Sequence, residues 1–134
     1  MIEIEKFLLN LENCCKEKEI DFKVISGWIL NRLKEKILKY YITIEQNPEF
    51  PQTIMDVLIL TKRFIYDFDI RKDARILSFY QLSDISGLYE EELTEKIFLR
   101  ILIGGISVLA VVDNKNNVKQ LREFVDEIYN SVWG

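Results

Sequence analysis

From Tyr40 onward the apolar residues of this chain recur every second position. In Arg63–Arg71, Phe64, Tyr66, Phe68 and Ile70 fall on one side of an extended backbone. Arg63, Asp67, Asp69 and Arg71 fall on the other, with Ile65 the one apolar residue among them. A period of two predicts a strand with one face on a core and the other in water. Related patterns predict strands at Tyr40–Glu45, Thr53–Thr61, Arg75–Leu82, Lys96–Ile103 and Ile106–Val112, with Leu82–Leu88 irregular or a short strand. Asn47–Pro51 holds two prolines and reads as a loop, Arg71–Arg75 as a charged turn, and Glu90–Glu92 as an exposed acidic turn. Gly104-Gly105 supplies the two positive φ angles that a tight hairpin turn needs.

At the two ends of the chain the period changes to that of a helix. Ile4, Phe7, Leu8, Leu11 and Cys14/Cys15 predict a helix over about Ile2–Glu17. A second helix is expected from Ser26 as N-cap, with Ile25, Trp28, Ile29, Leu33 and Ile37 as its stripe, in competition with a short strand at Ile20–Val24. Val118, Leu121, Val125, Ile128 and Val132 predict a closing helix, with Asn117 and Gln120 spaced as a capping box. Strands in unbroken succession need hairpin connections, so the sheet is expected to be antiparallel. The fold class is therefore α+β: a strongly bent antiparallel sheet or partly open barrel capped by a C-terminal helix. Residues 1–39 form a helical N-terminal extension and residues 40–134 the β domain.

Three local features within that second part resemble the bacterial pleckstrin-homology-like domains. Val57–Tyr66 is similar to the family's apolar strand, Thr-x-Arg turn and second strand. Leu82-Ser83-Asp84-Ile85-Ser86 resembles its Leu-x-Asp-Ile segment, and the final hairpin with a Trp-bearing helix ending at Trp133 resembles its closing helix. The resemblance implies a non-catalytic binding module, for some members a phosphoinositide binder acting through a basic loop between the first two strands. Here that loop, Gln46–Gln52, carries Glu49 and no cation.

Composition narrows the chemistry. The 134 residues are 49% hydrophobic and 30% charged, which suits a soluble globular body. Lys and Arg number 18 against 22 Asp and Glu, a net charge of −4 that argues against nucleic acid as a partner. The chain has no histidine, which removes histidine-based acid–base catalysis, triads and histidine metal sites. The two cysteines are adjacent, Cys14-Cys15, so neither a zinc motif nor a CxxC redox motif exists, and a reducing, cytoplasmic setting is expected. The charged N-terminus does not resemble a signal peptide, and the longest apolar run, Ile101–Val112, is too short to span a bilayer as a helix.

Few residues suggest a site. Lys62, Arg63, Arg71, Lys72 and Arg75 could gather as an anion- or lipid-headgroup patch, weighed against solvated turns neutralised by Asp67, Asp69 and Asp73. Asp67 and Asp69 could act as paired carboxylates, weighed against a surface ion ladder with Arg63 and Arg71. Asp113–Asn117 has the look of a calcium loop but lacks its glycine and its closing Glu, so helix capping accounts for it better. Trp28 and Trp133 are the candidate interface anchors, weighed against packing in the core. No catalytic residue, metal ligand or cofactor site is expected. The favoured function is a protein–protein interaction or scaffold module, with a protein partner or a second copy of the chain as its target. A module for anionic membrane surfaces is the alternative, and an enzyme the third option.

Overall fold

These periodicities become three helices and seven strands among residues 2–134, which the computed structural model describes. The helices are α1 (Glu3–Glu17), α2 (Phe22–Arg32) and α3 (Val118–Trp133). The strands are β1 (Lys39–Thr43), β2 (Thr53–Leu60), β3 (Phe64–Arg71), β4 (Arg75–Gln81), β5 (Gly87–Glu92), β6 (Lys96–Ile103) and β7 (Ile106–Asn114). They form two antiparallel sheets, one ordered β1-β2-β3-β4 and the other β5-β6-β7. The class is α+β as expected, and the sheets do not close into a barrel. At the β6–β7 turn Gly104 and Gly105 both take positive φ, 58° and 80°.

At the end of α1, Glu19 adopts φ 58° and the Ile20 amide donates to the Cys15 carbonyl at 2.8 Å. This left-handed residue ends α1 at Glu17, where its end was expected. Several later boundaries moved, each for a local reason. Asp21 then caps α2, its carboxylate accepting from the Lys23 and Val24 amides at 3.0 and 3.4 Å. Ser26 therefore lies inside the helix rather than at its start, and no strand forms at Ile20–Val24. Ile37 is buried but lies beyond the helix. Glu90–Glu92, read as a turn, belongs to β5, where Arg122 of α3 pairs with Glu90 at 3.6 Å and also with Glu92. No capping box forms on α3, because the Asn117 side chain turns back to Asp113 instead.

The first sheet is covered on both faces. Its outer face (Met55, Val57, Ile59, Tyr66, Phe68 and Ile70) packs under α1 and α2, which contribute Phe7, Leu11, Cys15, Ile25 and Ile29. Its inner face meets the second sheet, with Leu58, Leu60 and Ile65 against Ile97, Leu99, Ile101, Leu109 and Val111. Leu121, Phe124 and Ile128 of α3 join that inner core. The expectation that the Asp-bearing face of β3 meets bulk water is thus corrected. The N-terminal helices take up the aromatic face, so the acidic face turns toward the second sheet.

That inner face is graded. Strand register aligns Leu60, Ile65 and Tyr80 in one row, Tyr41, Leu58, Asp67 and Ser78 in the next, and Thr43, Asp56, Asp69 and Ile76 in the third. Moving along β2 and β3 from one row to the next, the space between the sheets changes from hydrocarbon to carboxylate.

Candidate functional site

Where the inner face becomes acidic, a cavity of about 160 Å³ lies between the sheets. Its far wall is β7, the edge of the second sheet. Alternate carbonyls of that edge are met by side chains from the first sheet and its β1–β2 loop. Tyr80 Oη donates to the Val108 oxygen at 3.1 Å, Asn47 Nδ2 to that of Ala110 at 3.3 Å, and Thr43 Oγ1 to that of Val112 at 3.2 Å. These bonds close what would otherwise be a bare strand edge. They also hold the two sheets apart at the cavity. The β1–β2 loop is fixed from outside by a bidentate pair between Glu49 and Arg100 of β6.

Four carboxyl side chains line the cavity, Glu45, Asp56, Asp67 and Asp69, with Arg71 the one cation among the lining residues. Two of the four acids are balanced. Asp69 accepts from Arg71 Nε at 3.0 Å and from Thr53 Oγ1 at 2.7 Å. Glu45 pairs with Lys96 at 3.3 Å. Asp56 and Asp67 are not balanced. They lie diagonally across β2 and β3, and Oδ1 of each is sealed from solvent with no hydrogen-bond donor reaching it. An ionised carboxylate without a partner at such a position costs several kcal/mol, so protonation is the usual response. Burial pushes the Asp56 carboxyl well above the ordinary range, and the neighbouring Asp67 and Asp69 push it the same way. Burial also raises Asp67, against the hydrogen bond from Asp56 and the charge of Arg71, which lower it. The two carboxyl groups therefore titrate as a pair that holds on to a proton above the ordinary carboxylate range.

The surface-ladder reading of β3 is corrected by this arrangement. Arg71 does pair with Asp69, but Arg63 turns to Glu35 at 2.9 Å and Asp67 has no cation. The carboxylate that joins Asp67 is Asp56, which the sequence reading passes over because it sits in the apolar run of β2. A single acid in a strand whose neighbours are buried on both faces was the signal available.

The five candidate cations separate into two groups. Lys62 and Arg63 stand at the β2–β3 turn, whereas Arg71, Lys72 and Arg75 stand at the β3–β4 turn, roughly 23 Å away at the rise of an extended strand. Arg71 is held by Asp69 and by Gln52 at 3.1 Å, and Arg75 lies over the Trp28 ring at 5.2 Å. Glu19 and Asp73 share the shallow cleft beside Arg71, Lys72 and Arg75. Trp28 is half-buried and packs edge-on against Phe68 at 5.1 Å, whereas Trp133 is 44% exposed beside Tyr129. Asp113–Asn117 forms the turn before α3, with Asn114 Oδ1 accepting from the Asn116 amide at 3.0 Å, and it gives α3 itself no side-chain cap, so the helix-capping reading is corrected.

The chemistry open to these groups is limited. Cys14 and Cys15 are free thiols, and burial pushes the Cys15 thiol up to about 11, which makes it a poor nucleophile. Among the described residues no three acidic or cysteine side chains converge on one metal-sized position, and no helix is long and apolar enough to cross a membrane. The chain matches no protein-family model and no curated protein.

Proposed function

We propose that the chain is a non-catalytic protein-interaction module on a pleckstrin-homology-like body. Four antiparallel strands, then three, then an apolar helix packed into the core between the sheets is the element order this reading requires. Phe79 is the observation that carries the interaction. It is 57% exposed on β4, an unpaired edge of the first sheet. Tyr66 and Phe64 support its ring from beneath, at 5.7 and 5.8 Å between centroids. A rigid aromatic beside free strand-edge amides is the arrangement to which a partner segment adds. Nearby, a cleft joins Lys62–Phe64 and Gln81–Ser83 to Ser131 and Val132 of α3, next to the exposed Trp133.

Immobilised chain tests the proposal by capture from its own cell. Proteins retained by the wild type should be lost on Phe79→Asp and kept on an Arg71/Lys72/Arg75→Ala triple variant. An identical retained set on Phe79→Asp overturns the reading. Loss on the triple variant together with sedimentation on acidic liposomes would favour the anionic-membrane alternative. Sedimentation velocity distinguishes a second copy of the chain from a foreign partner: association that rises with concentration and disappears in Phe79→Asp identifies the former.

A further inference from the structure

The free edge of β1 lies on the far side of the first sheet from Phe79, along the floor of a groove of about 380 Å³. Strand bonding fixes which backbone groups meet that groove. The Thr61 amide donates to the Phe64 carbonyl at 2.9 Å, so odd-numbered residues of β2 bond to β3 and even-numbered ones to β1. Through the β1–β2 register, Leu60 and Leu58 take up the backbone of Lys39 and Tyr41. The amides and carbonyls of Tyr40 and Ile42 therefore point away from the sheet, where no further strand pairs with them.

Helices form the two walls. On one side Tyr40 packs edge-on against Phe7 of α1 at 5.3 Å, and Asn10 of that helix donates to its hydroxyl. On the other, Tyr41 bonds to Asp113 and lies 6.1 Å from Phe124 of α3, between ring centroids. What the walls present is carboxamide: Asn10 and Asn13 from α1, and Asn117 and Gln120 at the start of α3. A carboxamide both donates and accepts, as a peptide group does. Charge is balanced in the groove, with Glu3 and Glu123 against Lys6 and Lys39, and Asp113 already met by three donors.

Unpaired strand amides between walls that repeat the chemistry of the peptide group suit an extended chain. Side chains of such a chain alternate between the two walls, and uncharged polar walls match uncharged polar side chains. A second copy offering its own β1 would bring its own α1 and α3 against these walls, so a symmetric pairing is obstructed. The volume falls in the range of about 300–1,000 Å³ usual for binding sites. We propose that this groove binds an extended segment of a partner protein rich in asparagine, glutamine, serine and threonine, which adds as a fifth strand beside β1 and bonds to the backbone of Tyr40 and Ile42. The site stands independently of the Phe79 reading.

Amide-detected NMR titration with a capped heptapeptide of alternating threonine and glutamine tests it. The controls are the same peptide N-methylated throughout and a capped heptapeptide of alternating lysine and glutamate. Saturable shifts should centre on Asn13, Tyr40, Ile42 and Gln120 with the first peptide, vanish with the N-methylated one and need more of the charged one. Ile42→Pro removes an outward amide and leaves the β1–β2 ladder in place, since proline is tolerated on an edge strand where its nitrogen faces outward. It should weaken binding about two- to tenfold, the effect of one hydrogen bond. Asn13→Ala combined with Gln120→Ala changes two exposed helix positions and should weaken binding at least as much, at an unchanged melting temperature. Absence of saturable shifts in the wild type, equal binding of either control peptide, or undiminished binding in either variant would overturn the proposal. Shifts confined to Leu77 and Phe79 would place the strand at the β4 edge and overturn it too. Shifts of Tyr40 and Ile42 with protein concentration alone would give the groove to a second copy instead.

Discussion

Two groups of acids lie between or beside the sheets of this protein, and they are treated in opposite ways. Asp113, at the end of β7, is buried and fully engaged. Tyr41 Oη donates to its Oδ2, and the Asn114 amide and Asn117 Nδ2 donate to its Oδ1 at 2.8 and 3.0 Å. Burial and the hydrogen bond to Asp113 both push the Tyr41 phenol far up, so it remains a donor. Asp56 and Asp67 have a sealed oxygen each and no donor for it. An acid that is needed for architecture is surrounded by donors, because an unmade bond in the interior costs about 1–3 kcal/mol. The first kind joins β1, β7 and the start of α3; the second kind sits within the one pair of strands, β2 and β3, and joins nothing further.

The largest effect expected from breaking this comparison is on Asp113. Asp113→Ala should lower the unfolding free energy by about 2–4 kcal/mol, since it strands one buried and two part-buried donors at once. Urea unfolding would show this as a fall in midpoint at constant slope. Tyr41→Phe sharpens the comparison by removing one donor and leaving two, and should cost about 1–3 kcal/mol in the same assay. On the other side the sign reverses. Asp67→Asn should raise stability at neutral pH by about 1–2 kcal/mol, because it removes negative charge from a buried acid pair that has no salt-bridge cation. The smallest effect serves as a control away from both acids. Glu19→Gly relieves a left-handed non-glycine at the end of α1 and should add about 0.5–1 kcal/mol without altering the difference between wild type and Asp67→Asn.

Much of the fold was legible because it rests on periodicity. The alternation in β3, the paired glycines of the last hairpin and the stripe of α3 each follow from a local rule. The orientation of the acidic face was not legible. Alternation shows that Asp67 and Phe68 point apart, but not which of them meets water. That depended on whether Phe7, Leu11 and Ile29 covered the first sheet, which is a matter of long-range packing. The pairing of Asp56 with Asp67 depended on register between strands, which a single strand does not encode. Helix starts moved where a competing cap was stronger: Asp21 displaced Ser26, and Asp113 drew Asn117 away from α3.

The central claim is that Asp56 and Asp67 are kept at a cost to the fold, and the pH profile of stability tests it most directly. A carboxyl raised by burial holds its proton in the folded chain where the unfolded chain has released it. Below about pH 4 both states are protonated and no penalty exists. As pH rises above that point the unfolded state is increasingly favoured, until the folded carboxyl itself ionises. Asp69 and Arg71, which face the pair from β3, are unchanged in Asp56→Asn. So are Glu35, which burial raises but the Thr61 and Arg63 hydrogen bonds hold low on balance, and Glu49, held low by its hydrogen bond from Arg100. Their contributions cancel when variant and wild type are compared. Denaturant unfolding of wild type and Asp56→Asn should show no advantage for the variant near pH 3.5 and an advantage that grows toward pH 7. A variant less stable than wild type at neutral pH, or a difference that does not change with pH, would contradict the account.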